Sequence, residues 1–244
     1  MTKNAPPTSG FLGRRGLALA VVLVGAALTV IALRVAAWAL HAATGDLGPT
    51  ALDARVQAWV RGVRHERLTE SLLQITALGG GTVLTLAVLL VVVALLLAGR
   101  RVVAGKVVLV SLGALIMIGV VKELVERPRP AVNEKPLDPW ISVNSFSFPS
   151  GHSFAAMAVY LSLGLLVARL APTRRCAYFL VLAAAGLALL VGATRVYLGA
   201  HYATDVIAGW FAGAAWTCAC VAALWVLDPS TLRWASWRKA PCAE

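Results

Sequence analysis

Residues 102–130 read VVAGKVVLVSLGALIMIGVVKELVERPRP, an apolar run that ends abruptly in a cluster of charges and prolines. A helix needs about 20 predominantly apolar residues to cross a bilayer. Residues 102–121 reach that length if the Lys106 side chain extends its ammonium group to the membrane surface. The stretch therefore predicts a membrane-spanning helix with ionisable side chains gathered at one end.

Similar apolar runs recur along the whole chain, which is 59% hydrophobic and only 14% charged. Soluble globular domains carry about 25% charged residues, so the composition favours a membrane protein. We predict an all-α fold, a six-transmembrane-helix bundle, in which residues 16–227 form one membrane domain between tails 1–15 and 228–244. The six predicted spans are residues 16–40, 72–98, 102–121, 153–168, 176–193 and 206–227.

One amphipathic segment, residues 51–70, lies between the first two predicted spans. Its apolar residues recur at helical spacing, which predicts a helix lying on the outer membrane surface. The alternative is a lid over a lipid entrance. Gly79–Gly81 stand near the outer end of the second span, where three glycines favour close helix packing.

The basic residues orient the chain in the membrane. Residues 1–15, 99–106, 169–175 and 228–244 carry twelve Lys or Arg against two acids, whereas the segments on the other side carry nine of each. Short basic loops remain in the cytoplasm, so we predict that both termini are cytoplasmic and that the longer loops face outward. The same distribution argues against nucleic-acid binding despite a net charge of +11. The four cysteines contain no CxxC pair, so neither a disulfide framework nor a zinc site is expected.

Polar groups cluster at the predicted outer ends of the spans, in residues 122–130, 148–153 and 194–205. Cations, histidines and a carboxylate that converge at one membrane depth indicate a functional site. Three short motifs stand in these clusters: Lys122, six residues, Arg129-Pro130; Pro149-Ser150-Gly151-His152; and Thr194-Arg195, five residues, His201, three residues, Asp205.

Together these motifs resemble the type 2 phosphatidic acid phosphatase superfamily, whose members include lipid phosphate phosphatases and which shares its active site with vanadium haloperoxidases. The resemblance covers roughly residues 50–225. Thr194 stands where that family usually has serine, and because threonine keeps the hydroxyl we expect an effect on local packing alone. Arg127 matches no motif position and is interpreted as a solvated loop charge.

The resemblance implies a role for each matching residue. Phosphate binding is assigned to Lys122, Arg129, Ser150, Gly151 and Arg195. His201 becomes the nucleophile that forms a phosphohistidine. Asp205, four residues later, orients its ring, and His152 is the general acid that protonates the leaving oxygen. Three cationic side chains supply the charge that magnesium provides elsewhere, so no metal and no cofactor is expected.

The predicted function is hydrolysis of a lipid phosphate or diphosphate in a bacterial plasma membrane, with the active site facing the periplasm or exterior. An outward-facing site makes undecaprenyl or another polyprenyl diphosphate the first candidate substrate. Phosphatidic acid and phosphatidylglycerol phosphate are alternatives, because the motifs contact phosphate and not the lipid tail. A phosphotransferase on the same fold is not excluded, since only the acceptor differs. A non-enzymatic anion or lipid transporter and a haloperoxidase are disfavoured, and the oligomeric state is left open.

Overall fold

The computed structural model describes residues 9–130 and 145–227. Regular structure within those ranges is entirely helical, which confirms the all-α prediction. The helices are α1 (Ser9–Thr44), α2 (Ala51–Val63), α3 (Glu66–Ala77), α4 (Gly81–Leu97), α5 (Arg101–Val125), α6 (Gly151–Ala168), α7 (Arg174–Tyr197) and α8 (Ala203–Leu227). The predicted C-terminal tail and most of the N-terminal tail lie outside the described residues, so the division into tails and membrane domain stays a prediction.

Six membrane crossings are available in this part of the chain. Helices α1, α5, α6, α7 and α8 are each long and apolar enough to cross a bilayer. Helices α3 and α4 together make a sixth crossing if they count as one span bent by 40°. Large apolar side chains such as Leu90 and Leu97 are exposed on these helices, as expected for surfaces that contact lipid.

The predicted amphipathic helix over residues 51–70 is in fact broken, and only its first part, α2, lies between the first two spans. Arg64 and His65 have extended backbones, and the His65 ring accepts the N–H of Leu68 at 3.4 Å to begin α3. The Arg64 guanidinium donates to the carbonyl of Tyr197 at 2.9 Å, which ties the break to the end of α7. Because α3 leads directly into α4, the second half of the predicted segment belongs to the bent span.

Helix α2 divides its apolar residues between the protein interior and the outer surface. It begins with a reciprocal capping box between Thr50 and Asp53, with both bonds at 3.1 Å. Asp53 and Val60 are buried, whereas Leu52 and Trp59 are exposed. The helix therefore presents apolar side chains outward and carries a carboxylate into the protein.

Glycines bring the helix ends into close contact. A Cβ atom on Gly79, in the break between α3 and α4, would lie 2.2 Å from Val191 Cγ1 on α7, which supports the predicted close packing at this position. On α8, Gly209 and Gly213 are four residues apart, and a Cβ on either would lie within 3 Å of α6 backbone oxygens. This Gly-x-x-x-Gly spacing lets α8 approach α6 closely and places their first turns side by side.

The main core lies among α1, α5, α6 and α8. Val121, Phe148, Phe154 and Trp216 are fully or almost fully buried there. At the same end of the bundle, the Arg34 guanidinium of α1 donates to the carbonyl of Leu124 at the end of α5. Arg34 is therefore a packing residue that joins α1 to the end of α5.

Candidate active site

Four helix ends meet where the three sequence motifs lie: the carboxyl ends of α5 and α7 and the amino ends of α6 and α8. The N–H of Ser150 donates to the carbonyl of Asp205 at 3.1 Å and joins the start of α6 to that of α8. Ser150, Arg195, His201 and Asp205 are all at most 4% exposed. Helix packing thus brings residues from two distant motifs into one buried cluster.

His201 and Asp205 form the oriented pair that their spacing predicts. His201 Nδ1 lies 3.6 Å from Asp205 Oδ2 and 3.3 Å from Ser147 Oγ. The Ser147 hydroxyl donates to the same carboxylate oxygen, which also accepts the N–H of Tyr202 at 2.9 Å. Because that hydroxyl hydrogen is engaged by the carboxylate, Ser147 Oγ can accept a hydrogen bond from the imidazole N–H.

The other imidazole nitrogen, Nε2, faces Arg129. The distance from Arg129 NH1 to His201 Nε2 is 3.3 Å. A guanidinium has no acceptor, so this contact requires Nε2 to carry the lone pair and Nδ1 to carry the proton. The nitrogen of His201 that is predicted to attack phosphorus therefore points at the cation predicted to hold the phosphate.

The surroundings keep His201 neutral. Burial is the main reason that the pKa of His201 falls to about 4, and the charges of Arg129 and Lys122 lower it further. The hydrogen bond and the charge of Asp205 act in the opposite direction. At neutral pH the ring is an unprotonated imidazole, which is the form that can attack phosphorus.

Arg195 and His152 lie beside the break between α3 and α4. Arg195 NH1 donates to Thr76 Oγ1 of α3 at 3.0 Å. His152 packs against Gly79, since a Cβ there would lie 3.3 Å from His152 Cδ2. The bent span therefore forms one wall of the site, and Thr76 is a site residue that the motifs did not reveal.

The Pro-Ser-Gly-His motif opens α6. Ser150 is the N-cap, and its Oγ accepts both the N–H of Ser153 at 3.4 Å and the Ser153 hydroxyl at 2.9 Å. Its own hydroxyl hydrogen is therefore available to donate to an anion. A Cβ on Gly151 would make only an ordinary contact, 3.5 Å from Ile118. A side chain at position 151 would therefore not clash with neighbouring protein atoms. The free space is compatible with the predicted role of Gly151 in phosphate binding.

The segment before that motif, residues 145–147, holds one cation from the last turn of α5, Lys122, and one that follows the helix, Arg129. Arg129 donates to the carbonyl and the hydroxyl of Ser145 at 2.8 and 2.6 Å. The Lys122 ammonium donates to the carbonyl of Phe146. Ser145 and Ser147 were not identified from the sequence, where their position just before the Pro-Ser-Gly-His motif is the only signal.

The interpretation of Arg127 as a solvated loop charge is wrong. Its side chain is 0% exposed and forms ion pairs with Asp53 at 3.0 Å and Asp205 at 2.5 Å. The guanidinium carbon also stands 4.2 Å from the centre of the Tyr202 ring. A charge this deeply buried needs such compensation, and helix α2 supplies half of it through Asp53.

A separate apolar cavity of about 970 Å³ runs between α1 and α8. It ends near Leu52, Phe148 and Thr204, and none of the predicted phosphate-binding or catalytic side chains lines it. Thr204 also accepts a bond from Arg127, so the cavity adjoins the Arg127 cluster and not the phosphate-binding residues.

Nothing within residues 9–130 and 145–227 groups three or more His, Cys, Asp or Glu side chains as metal ligands. The site's positive charge comes from Lys122, Arg129 and Arg195. The expectation that no metal takes part stays a prediction.

Comparisons with known proteins agree with this architecture. The PAP2 superfamily profile matches residues 104–228. Phosphatidylglycerophosphatase B of Bacillus subtilis is 35% identical over 153 residues, which cover 62% of this chain and 72% of that protein. The crystal structure of a transmembrane PAP2-type phosphatidylglycerolphosphate phosphatase from B. subtilis superposes with a TM-score of 0.69 at 26% identity, covering 81% of this chain and 94% of that one. LpxE of Aquifex aeolicus shares the fold, with a TM-score of 0.53 at 23% identity over 71% of this chain and 95% of that one.

Proposed function

This chain belongs to the PAP2 superfamily and is a membrane lipid phosphatase, and from that premise we propose that it removes the terminal phosphate of phosphatidylglycerol phosphate through a phosphohistidine on His201. The observation that carries the reaction class is the buried His201, set between the Asp205 carboxylate and the Arg129 guanidinium. The substrate rests on the similarity to the B. subtilis phosphatases.

In the first step, the Nε2 lone pair of His201 attacks phosphorus while the bond to the lipid oxygen breaks. Negative charge on the equatorial oxygens is stabilised by the guanidinium groups of Arg129 and Arg195 and by the Lys122 ammonium. His152, as imidazolium, gives its proton to the departing alkoxide. The Nδ1 proton of His201 stays on the ring and is held by Asp205.

In the second step, water replaces the lipid. His152, now neutral, takes a proton from the water as it attacks the phosphohistidine. The P–N bond then breaks, and inorganic phosphate leaves with His201 again neutral. A low pKa suits His201 for both steps, because an unprotonated ring is needed at the start and is restored at the end.

The lipid specificity is testable with the purified protein. Phosphate release is measured from phosphatidylglycerol phosphate, phosphatidic acid and undecaprenyl diphosphate in the presence and absence of EDTA. We expect the highest kcat/KM for phosphatidylglycerol phosphate and no loss with EDTA, because the site's cations are side chains.

Each other outcome of this assay has a definite meaning. A preference for the diphosphate would restore the candidate favoured from the sequence and overturn the proposed substrate. Phosphate that appears on a second lipid, and not in solution, would identify a phosphotransferase. Activity that EDTA abolishes and magnesium restores would exclude the metal-free mechanism.

We also propose that the protein lies in a bacterial plasma membrane with both termini in the cytoplasm, because its unbalanced basic segments lie on one side of the spans. Pro136→Cys and Pro172→Cys, each in a cysteine-free background, form a matched pair for intact cells treated with a membrane-impermeant thiol reagent. Only position 136 should be labelled. Labelling of position 172 alone would place the active site in the cytoplasm.

A further inference from the structure

The Arg127 side chain is completely satisfied inside the protein. It is 0% exposed, and each of its five N–H groups has an acceptor. The acceptors are the carbonyls of Leu47 at 2.9 Å and Gly48 at 2.8 Å, Thr204 Oγ1 at 2.8 Å, Asp53 Oδ2 at 3.0 Å and Asp205 Oδ1 at 2.5 Å. Such a rigid fork holds its partners in one geometry, which a flexible lysine ammonium could not do.

Asp53 supplies the second carboxylate of this cluster from the first turn of α2. Besides Arg127, it accepts the backbone N–H of Thr204 at 3.0 Å and the Thr204 hydroxyl at 2.9 Å. The capping box with Thr50 fixes Asp53 in turn. Helix α2 is thereby attached directly to the residue before Asp205.

Arg127 touches both groups that contact His201 Nδ1. Its guanidinium binds Asp205 Oδ1, while the other carboxylate oxygen faces the imidazole. Its carbonyl accepts the backbone N–H of Ser147 at 2.8 Å, and Ser147 Oγ lies 3.3 Å from Nδ1. One residue thus positions the carboxylate and the hydroxyl that together orient the ring.

We propose that Arg127 is a positioning residue for the phosphatase reaction, and that its ion pair with Asp53 makes helix α2 part of the apparatus that aims His201 at phosphorus. This inference rests on the proposed function. It assigns α2 a role in catalysis, beyond that of a surface helix or a lid. If Arg127 only stabilised the fold, its replacement would leave the pKa of His201 unchanged. Measuring that pKa therefore distinguishes a positioning role from a purely structural one.

The charges predict different effects on the pKa of His201 when Arg127 or Asp53 is replaced. Asp205 raises the pKa of His201, and the Arg127 cation offsets part of that carboxylate's charge. Removing Arg127 leaves the carboxylate uncompensated, so the His201 pKa rises. Removing the charge of Asp53 leaves Arg127 to act on Asp205 alone, so the His201 pKa stays low. Arg129 and Lys122, the two cations that lower the pKa of His201 directly, are unchanged in both cases.

The experiment compares Arg127→Met, Arg127→Lys and Asp53→Asn with Arg61→Met, a control at an exposed position of α2. We expect kcat to fall about 10- to 100-fold in Arg127→Met, because misplacing a reacting atom by about 1 Å costs on the order of 100-fold in rate, with KM within about threefold. Arg127→Lys should recover part of the loss, and Asp53→Asn should lose less than Arg127→Met. Arg61→Met should match the wild type.

The pH dependence of kcat/KM is the deciding measurement, after correction for the substrate's own ionisation by ³¹P titration. The acid limb should move to higher pH in Arg127→Met and should not do so in Asp53→Asn. A wild-type kcat in Arg127→Met overturns the proposal. The proposal is also overturned if kcat falls but the acid limbs of Arg127→Met and Asp53→Asn both stay in place or both move. Arg127 would then only stabilise the fold.

A second readout does not depend on turnover. The chain has four histidines, so isotope-labelled imidazoles can be titrated by NMR in detergent. His201 should titrate near pH 4 in the wild type and higher in Arg127→Lys or Arg127→Met, whichever folds. If the wild type releases phosphate from no lipid, the proposed function fails. The NMR titration then still decides whether Arg127 controls His201, and an unshifted His201 overturns the inference.

Discussion

His201→Ala is expected to abolish both turnover and phosphoenzyme formation. In the proposed mechanism, His201 Nε2 is the nucleophile, and it lies 3.3 Å from the Arg129 guanidinium that would bind the phosphate. A water molecule in the variant would not be fixed in that position, so it could not replace the imidazole. In a serine protease, which also uses covalent catalysis, loss of the nucleophile reduces kcat by about 10⁶-fold, and we expect a reduction of at least about 10⁴-fold here. The measurement is incorporation of label from phosphatidylglycerol phosphate that carries ³²P in its terminal phosphate. The reaction is quenched with alkaline detergent, because the P–N bond of a phosphohistidine hydrolyses in acid, and steady-state phosphate release is measured alongside.

The matched control is His41→Ala, which removes an exposed histidine of α1 and should keep full activity. The His201 substitution should leave the fold intact, because Asp205 keeps its bonds to Arg127 and Ser147. A His201→Ala protein that still acquires acid-stable or base-stable label from the lipid would falsify the nucleophile assignment.

His152→Ala is expected to slow attack according to the leaving group. A general acid typically contributes about 10²- to 10⁴-fold, and its loss matters most when a poor leaving group departs without a proton. The deficit should be largest for phosphatidylglycerol phosphate and phosphatidic acid, whose leaving groups are alkoxides. It should shrink for undecaprenyl diphosphate and for para-nitrophenyl phosphate, whose leaving groups are more stable anions.

The comparison across substrates separates proton donation from binding. If His152 only bound phosphate, its removal would lower kcat/KM by one common factor for every substrate. Equal deficits would therefore reject the general-acid role. His152→Gln provides a second variant, because it keeps a hydrogen-bonding side chain beside Gly79 without supplying an acidic proton.

Much of the fold and the central part of the site could be predicted from residues 102–130 and the similar runs around them. Hydrophobic length is a local property, and in lipid a helix satisfies its backbone within one segment, so the spans can be identified without knowing their neighbours. The proximity of His201 and Asp205 could be predicted from their short separation, but the reason differs from the one expected: α8 begins at Ala203, so His201 precedes the helix and does not share a helical turn with Asp205. The contact between Arg129 and His201 agrees with the prediction that the polar ends of the helices converge.

Other features depend on residues that are distant in sequence. Arg127 and Arg129 belong to the same Arg-Pro-Arg-Pro run and look alike, yet one binds Asp53 and Asp205 and the other contacts His201. The chain leaves α5 at Glu126 in a left-handed conformation, after which the two arginines bind different partners. No local pattern distinguishes a solvated arginine from one whose carboxylate partners lie 74 and 78 residues away.

Local sequence suffices to predict the membrane class, the spans and the motif residues at their ends, because each depends on apolar length or short spacing. Tertiary structure alone decided that the segment at 51–70 breaks at Arg64 and His65, that Asp53 faces inward, and that Ser147 and Arg127 hold Asp205. The reason is that whether a polar group is buried depends on what packs over it. In this protein, the covering groups come from other helices and loops.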